Sequence, residues 1–278
     1  SLVWYNKKEF EAAGYKVPTT WEELLALTEQ IAADGDPAWA IGIESGAATG
    51  WPATDWVEDI MLRTTSPENY DKWVNGELPF TDPIVRNAIE KMSEIWFNED
   101  YVYGGRKSIV QTPFGDAVKL LFDNPPKAWL HRQAGFITSF FPEGLTPDDF
   151  DWFPFPSIDP QYGTPALISG DIYAMFNDRP EVRAVMEFFT TADSLKTWIQ
   201  SGGVTAPMNG ADPSWYPNDA ERKMADFLQT ASAIRFDGSD LMPGSVGAGT
   251  FWKGMTDYVS GTATLDQALE TIQSGWNQ

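Results

Sequence analysis

Two tryptophans flank a carboxylate at the start of a predicted helix: Trp51 and Trp56 lie five residues apart, with Asp55 between them. A flat aromatic ring suits the apolar face of a sugar, and a carboxylate accepts hydrogen bonds from hydroxyl groups in fixed directions. The segment follows a small-residue loop, and Pro52 is well placed in the first helical turn. These residue types predict a sugar-binding element. The alternative is a packing tryptophan beside a solvent-facing aspartate.

A polar segment follows a short predicted strand in the middle of the chain. His131, Arg132 and Gln133 come directly after this strand, and Phe136 lies three residues further on. Ligands of α/β proteins gather at the C-terminal ends of strands, so these polar side chains are candidate donors to ligand hydroxyls. Alternatively, Arg132 only ties a loop to a carboxylate.

Two further segments contain acidic residues in glycine-containing surroundings. Asp171 follows Gly170 between two predicted strands, where a glycine permits a close backbone approach. The second segment is a loop before a helix, and its candidate ligand contacts are Arg235, Asp237, Asp240 and Trp252.

Catalytic alternatives are few. The chain has no cysteine and a single histidine, which excludes thiolate catalysis, cysteine-bound zinc and a multi-histidine metal site. There is no G-x-S-x-G motif. A glycoside hydrolase, however, needs only two carboxylates. A pair drawn from Asp55, Asp171, Asp237 and Asp240 therefore stays open. No metal or organic cofactor is implied.

Composition narrows the choice of partners. The formal net charge is -21, from 40 acidic and 19 basic residues. Such a surface repels phosphates and anionic lipids, so nucleic acid and direct membrane insertion of this chain are not expected. No apolar run approaches the roughly 20 residues needed to span a bilayer. Without a signal peptide at its start, the chain is expected to be a mature or truncated form.

Helical patterns outnumber strand patterns. Thr20 and Glu23 form a predicted capping box before an apolar helical face. The predicted strands are residues 2–5, 38–43, 127–130, 150–155, 165–169 and 171–176, separated by helical segments. Strands that alternate with helices predict an α/β lobe with a mostly parallel sheet flanked by helices.

Taken in order, several segments resemble the solute-binding proteins of sugar ABC importers, of the maltose-binding type and its α-glucoside-binding subgroup. The matching segments are residues 1–10, 18–24, 49–56, 129–136, 167–174, 180–190 and 235–252. They are similar to the C-terminal two-thirds of such proteins. We therefore expect the chain to begin in mid-protein and to lack most of the N-terminal lobe.

The resemblance implies a periplasmic-binding-protein-like (type II) lobe plus a remnant of the other lobe. Residues 1–168 would form most of the second lobe, residues 169–216 would belong to the first lobe, and residues 217–278 would return to the second. By resemblance, Trp252 matches an aromatic residue that stacks on the sugar. With the first lobe largely missing, the segment of residues 172–189 is expected to expose an apolar face.

The function implied is capture of a neutral α-glucoside or oligosaccharide between two lobes and its delivery to ABC transporter permease subunits. The protein would be non-enzymatic, and either periplasmic or lipid-tethered on the cell exterior. Two alternatives stay open: a glycoside hydrolase fragment that uses a carboxylate pair, and a module whose aromatic surface binds a protein partner.

Overall fold

A computed structural model describes residues 2–208 and 210–277. The α-helices are α1 (Lys7–Ala12), α2 (Trp21–Ala33), α3 (Trp51–Thr64), α4 (Pro67–Val74), α5 (Pro83–Trp96), α6 (Arg106–Ile109), α7 (Phe114–Ala117), α8 (Pro180–Phe189), α9 (Lys196–Ser201), α10 (Asp219–Thr230), α11 (Gly238–Leu241), α12 (Trp252–Ser260) and α13 (Leu265–Ser274). The strands are β1 (Leu2–Asn6), β2 (His131–Arg132), β3 (Phe150–Pro154), β4 (Ala166–Ile168) and β5 (Ile234–Phe236).

Helix starts follow local sequence rules. The predicted capping box of α2 is confirmed: Thr20 accepts from the Glu23 backbone N–H, and the Glu23 carboxylate accepts from the Thr20 N–H. Helix α3 begins after Gly50, whose φ of 113° is open to glycine, and carries a proline in its first turn. A short π-helix, Ser245–Phe251, leads directly into α12.

The larger sheet is built around β1. Strand β1 lies between β2 and β3 and pairs with both in antiparallel register, for example Val3 with Arg132 and Val3 with Phe153. The alternation of strands with helices along the chain predicts a mostly parallel sheet, whereas both pairings of β1 are antiparallel. More than a hundred residues separate β1 from β2. The order of strands and helices along the chain therefore does not determine whether these two strands pair in parallel or antiparallel direction.

Parallel pairing occurs elsewhere. Strands β4 and β5 form a two-stranded parallel ladder, Ala166 to Ile234 through Ile168 to Phe236. The predicted strands at residues 38–43 and 127–130 are reduced to single parallel bridges, such as that of Trp39 with Leu130.

Contacts within the chain divide it into two compact units, Ser1–Ile168 with Ala231–Gln278, and Ser169–Thr230. The larger unit contains a continuous apolar core in which helices α3 and α5 pack together. Its fully buried aromatic side chains include Trp4, Trp21, Trp39, Trp73, Trp96, Trp152, Phe80, Phe155 and Phe251.

The smaller unit runs to the end of α10. Within it, Arg222 of α10 donates through Nη1 to the Tyr216 carbonyl at 2.9 Å. The C-terminal end of this compact unit is Thr230. The predicted strand at residues 171–176 is wrong, because this segment has irregular, exposed backbone. Ile172 and Phe176 are 79% and 96% exposed.

Candidate functional site

Four aromatic side chains form a partly exposed surface on the larger unit, which we call the aromatic platform: Trp51, Phe114, Phe136 and Phe140. The Trp51 ring lies 5.1 Å from Phe114 and 6.0 Å from Phe136, measured between centroids. Phe114 and Phe140 lie 5.1 Å apart. Phe136 is 42% exposed, although a large aromatic ring usually packs away from water. The platform therefore presents aromatic rings to solvent.

A glycine makes room for one of these rings. A Cβ on Gly115 would lie 2.3 Å from the Phe140 ring. Phe140 thus lies directly on the backbone of α7. Phe114 and Phe140 are not among the residues predicted from the sequence. The only available signal was the Phe114–Gly115 pair, in which a glycine follows an aromatic residue within a short helix.

Trp252 lies close to the same end of α3. A Cβ on Gly50 would come within 2.4 Å of the Trp252 carbonyl oxygen, so the start of α12 lies against the residue that precedes Trp51. Trp252 is partly exposed, and its indole N–H has no hydrogen-bond partner in the described part of the chain. Tryptophan N–H groups usually find a partner when buried. The structure thus brings Trp51, Phe136 and Trp252 to neighbouring segments.

Helix α3, which carries Trp51, also carries three members of a row of alternating buried charges that we call the buried charge ladder: Asp55, Arg132, Asp59 and Arg63. Arg132 donates through Nη1 to Asp55 Oδ2 at 2.9 Å and through Nε to Asp59 Oδ2 at 2.7 Å. The aspartates and Arg63 lie one turn apart in sequence along α3, while Arg132 comes from β2. The loop-tying alternative for Arg132 therefore describes its contacts better than donation to a ligand.

Arg63 ends the ladder at the backbone. It donates through Nη1 to Asp59 Oδ1 at 3.1 Å, through Nε to the Phe155 carbonyl at 3.0 Å and through Nη2 to the Pro165 carbonyl at 2.8 Å. Burial lowers the pKa of Arg63 to about 10, partly offset by Asp59. A buried guanidinium needs such partners, because an unpaired charge away from water is costly.

Asp55 is the ladder member nearest the platform. Burial raises the pKa of Asp55 to about 7, against the opposing effect of Arg132 and with added repulsion from Asp237. Its Oδ1 is buried and has no hydrogen-bond partner among the described residues. Asp55 therefore holds Arg132 with one oxygen and keeps the other free.

His131 and Gln133 face inward on either side of Arg132. The His131 Nδ1 lies 2.8 Å from the Ala40 carbonyl, so this nitrogen carries the proton as donor. Burial lowers the pKa of His131 to about 4. Gln133 is 1% exposed, and its side-chain oxygen accepts from the Ala134 N–H. Its backbone carbonyl accepts from the Trp4 indole at 3.0 Å. Neither side chain is exposed to a ligand in this arrangement.

A third buried carboxylate on α3, Glu58, holds the segment after β5. It accepts from the backbone N–H groups of Gly238 at 2.7 Å and Ser239 at 3.0 Å. Burial raises the pKa of Glu58 well above its usual range, with repulsion from Asp237 and Asp55. Sequence reasoning did not single out Glu58, since one glutamate on an amphipathic helix gives no signal of burial.

Trp56 is a core residue, unlike Trp51. It is 2% exposed and packs edge-on against Trp39 and Phe155, with ring centroids 5.2 and 5.3 Å apart. No ring face is free for stacking. The five-residue spacing places the two tryptophans on different sides of α3, which the sequence analysis did not take into account.

The loop after β5 is held by its own contacts. Arg235 pairs with Asp71 through Nε and Nη2, at 2.6 and 2.9 Å. Asp237 caps α11, accepting from the Asp240 N–H at 3.0 Å and the Ser239 hydroxyl at 2.8 Å. Asp240 is exposed. The structure thus gives Arg235 and Asp237 partners within the protein.

Asp171 belongs to the smaller unit, where it is exposed on irregular backbone. It is therefore not among the residues that the larger unit brings together. Across residues 2–208 and 210–277, no group of three or more histidine or acidic side chains is arranged to hold a metal ion. None of the helices in the same residues has the length and apolarity needed to cross a membrane.

Residues 1–196 match the model of the bacterial extracellular solute-binding proteins. The chain belongs to this family. Members of this family are binding proteins that act outside the cytoplasm, and the extracytoplasmic location predicted from the sequence is confirmed.

Two curated relatives align over almost the whole length of this solute-binding protein. The osmoprotective compounds-binding protein GgtB of Synechocystis sp. is 49% identical over 276 residues, covering 99% of this chain and 65% of GgtB. The alpha-glucosides-binding periplasmic protein AglE of Rhizobium meliloti is 47% identical over 282 residues, covering 100% of this chain and 61% of AglE. The chain thus spans less than two-thirds of the length of these two relatives.

Solved structures share the fold. The solute receptor AcbH, described as exclusive for β-D-galactopyranose, superposes with a TM-score of 0.80 at 22% identity, over 99% of this chain and 69% of AcbH. A chitin oligosaccharide binding protein superposes with a TM-score of 0.79 at 19% identity, over 99% of this chain and 68% of its own. The predicted α/β, periplasmic-binding-protein-like fold is confirmed.

Proposed function

We propose that this solute-binding protein captures a neutral α-glucoside or oligosaccharide and delivers it to the permease subunits of an ABC transporter. The observation that carries the proposal is the aromatic platform, in which the Trp51 and Phe136 ring centroids lie 6.0 Å apart, while the Trp252 backbone packs against Gly50, which precedes Trp51. Stacked aromatic faces suit the apolar faces of sugar rings, and binding sites of this kind add a few polar groups to fix orientation.

The neutrality of the proposed ligand is supported by the partners of the two arginines among the candidate ligand contacts. Arg132 is committed to Asp55 and Asp59, and Arg235 is paired with Asp71. An anionic ligand would have to compete with these carboxylates for a guanidinium. A neutral polyhydroxy compound does not, which agrees with the alpha-glucosides named for AglE.

A second ligand class is favoured by the relative GgtB, which is named for osmoprotective compounds. Exposed aromatic rings also bind quaternary ammonium groups through cation–π attraction. Glycine betaine, which carries such a group, is therefore the comparison ligand. Binding of glycine betaine in preference to trehalose or maltose would select this second class.

The lobe assignment extends the proposal. We assign residues 1–168 to the second lobe, residues 169–216 to the first lobe and residues 217–278 to the return, in a protein that is periplasmic or lipid-tethered. The solute is released unchanged, because in this proposal Asp55 and Asp237 serve Arg132 and α11 rather than a glycosidic bond.

The experiment is a titration of the 278-residue chain with maltose, trehalose and sucrose, followed by intrinsic tryptophan fluorescence. We expect a saturable change with at least one sugar, and chromatography should recover that sugar intact. Consumption of the sugar would instead support the glycoside hydrolase alternative. A flat response to all three sugars up to millimolar concentration would contradict sugar binding by this chain.

A further inference from the structure

We propose that Arg132 and Asp59 are positioning residues: through Asp55 they hold strand β2 against helix α3 and so set the separation of Trp51 and Phe136. The inference rests on the proposed function in that the platform is taken as the ligand surface. Neither residue touches the ligand in this account.

Each of the three guanidinium nitrogens of Arg132 lies within 3 Å of a carboxylate oxygen. Arg132 is 4% exposed, Nε donates to Asp59 at 2.7 Å, Nη1 donates to Asp55 at 2.9 Å, and Nη2 lies 2.6 Å from Asp59 Oδ2 in an ion pair. Burial disfavours the charge on Arg132, but Asp59 and Asp55 outweigh burial and raise its pKa. Such a side chain stays charged and fixed, and acts on a ligand only through its neighbours.

The segment that carries Phe136 follows strand β2 closely in the chain. Strand β2 ends at Arg132, and the 3-10 helix Gly135–Phe140, which carries Phe136 and Phe140, begins three residues later. Between them, the Gln133 N–H donates to the Leu2 carbonyl at 2.9 Å. The start of this loop is therefore attached to β1 by backbone bonds and to α3 by the Arg132 side chain.

Helix α3 carries both Trp51 and the Asp55 partner of Arg132. Trp51 and Asp55 are four residues apart on α3, so they lie on adjacent turns of one helix face. The pair Arg132–Asp55, at 2.9 Å, joins this part of the helix to the end of β2. A shift of β2 relative to α3 would therefore move Phe136 relative to Trp51.

Asp59 holds the Arg132 side chain in place. Asp59 Oδ2 lies 2.7 and 2.6 Å from two of the Arg132 nitrogens, and Asp59 Oδ1 accepts from Arg63 at 3.1 Å. Arg63 is fixed in turn by the Phe155 and Pro165 carbonyls. Asp59 is 0% exposed, so no water competes for these contacts. Rigid support of this kind is what keeps a binding surface in one geometry.

A purely structural role is the competing explanation. Loss of one member of a buried ion pair destabilises a protein whatever its function, because it leaves an unpaired buried charge. A structural role would lower the free energy of unfolding but leave the affinity of the folded protein unchanged. A positioning role also changes affinity and ring geometry.

The test uses Arg132→Lys and Asp59→Asn in the full chain. A lysine ammonium is a point donor and cannot bridge two carboxylates as the guanidinium fork does. The matched control is Arg106→Lys, because Arg106 also ties two segments, donating through Nε to the Val259 carbonyl at 2.9 Å, but outside the ladder. Each variant is titrated with maltose, trehalose and sucrose well below its thermal midpoint.

We expect Arg132→Lys and Asp59→Asn to lose roughly tenfold in affinity for the sugar that binds, because the rings are no longer pre-positioned. Arg106→Lys should keep wild-type affinity even where its thermal midpoint falls. Wild-type affinity in folded Arg132→Lys would overturn the inference.

A crystal structure of Arg132→Lys separates this inference from the proposed function. We expect the distance between the Trp51 and Phe136 centroids to depart from 6.0 Å. If the wild-type chain binds none of the sugars, the proposed function fails and the crystal structure still decides the positioning role. An unchanged centroid distance would overturn that role.

Discussion

Asp55 Oδ2 lies 2.9 Å from Arg132 Nη1, yet the pKa of this carboxyl is raised to about 7. Burial is the largest cause and opposes the attraction of the guanidinium, and repulsion from Asp237 and Asp59 raises the pKa further. Protonation of Asp55 as the pH falls through about 7 therefore removes the negative charge that pairs with Arg132. Buried ion pairs of this kind carry a desolvation cost that their Coulomb attraction need not repay.

The raised pKa of Asp55 predicts a stability that falls with pH. The ordinary aspartate pKa is about 3.9, so between about pH 4 and pH 7 the folded state holds a proton that the unfolded state has lost. His131, whose pKa is lowered to about 4, has the opposite effect and adds stability as pH rises toward about 6.5. We expect Asp55→Asn to remove the falling contribution.

Urea unfolding at about pH 5 and about pH 7 checks this prediction. The free energy of unfolding of Asp55→Asn should rise more, or fall less, between these two pH values than that of the wild type. Equal pH dependence in the two proteins would show that Asp55 ionises with an ordinary pKa.

Trp51 should contribute to ligand affinity with little effect on stability. Its ring is partly exposed on the platform and contacts Phe114 and Phe136. We expect Trp51→Ala to weaken sugar binding by roughly 2 kcal/mol, about thirtyfold, as for other aromatic anchors at binding surfaces. Calorimetric titration measures this change. Tyr103→Ala, which removes an aromatic ring that is 39% exposed outside the platform, is the control and should bind as wild type.

Trp56 should show the reverse behaviour. Its ring is buried against Trp39, Trp96 and Phe155, and its removal leaves a large cavity. We expect Trp56→Ala to cost roughly 3–5 kcal/mol in the free energy of unfolding of the larger unit. Guanidinium unfolding measures this cost, and Trp56→Phe should lose less. A cost below about 1 kcal/mol would contradict the core placement of this ring.

Substitution of Arg235 distinguishes an ion-pair role from a ligand contact. It pairs with Asp71, and the two side chains are 30% and 48% exposed. Exposed pairs contribute little, so Arg235→Ala should change the free energy of unfolding by no more than about 1 kcal/mol. If Arg235 serves only this pair, sugar affinity should also stay unchanged. A large loss of affinity in a calorimetric titration would instead make Arg235 a ligand contact.

Gly247 in the π-helix before Trp252 should be intolerant of a side chain. A Cβ at this position would lie 1.8 Å from the Ser239 carbonyl oxygen, a backbone atom that cannot move aside alone. We expect Gly247→Ala to lower the thermal midpoint strongly, while Gly244→Ala, with nothing within 4 Å of its Cβ, should not. Scanning calorimetry compares the two variants. Equal midpoints would contradict the close packing of this segment.

Local signals in the sequence predicted much of the fold. The capping box of Thr20 and Glu23 and the start of α3 after Gly50 depend on residues within one turn, so both were readable. The segment at residues 171–176 has strand-like composition, but the structure gives it no neighbouring strand. Strand formation depends on distant pairing, which composition does not contain.

The candidate site was predictable in its residue types but not in its burial. Trp51 and Trp56 are the same residue type, and only their positions around helix α3 place Trp51 at the surface and Trp56 in the core. Arg132 was expected as a possible ligand donor, but two carboxylates on α3, more than seventy residues away in sequence, occupy it. Long-range pairs of this kind are set by packing and leave no local pattern.

The most direct test of the account follows the Trp51 indole N–H by ¹H–¹⁵N NMR, with its signal assigned through Trp51→Phe. The chain is titrated with maltose, trehalose and sucrose to millimolar concentration, which also detects weak binding. We predict a saturable shift of the Trp51 signal with at least one sugar, while the signal of Trp198, an exposed tryptophan of the smaller unit, does not move. A Trp51 signal that stays in place with every sugar would contradict the aromatic platform as the ligand surface.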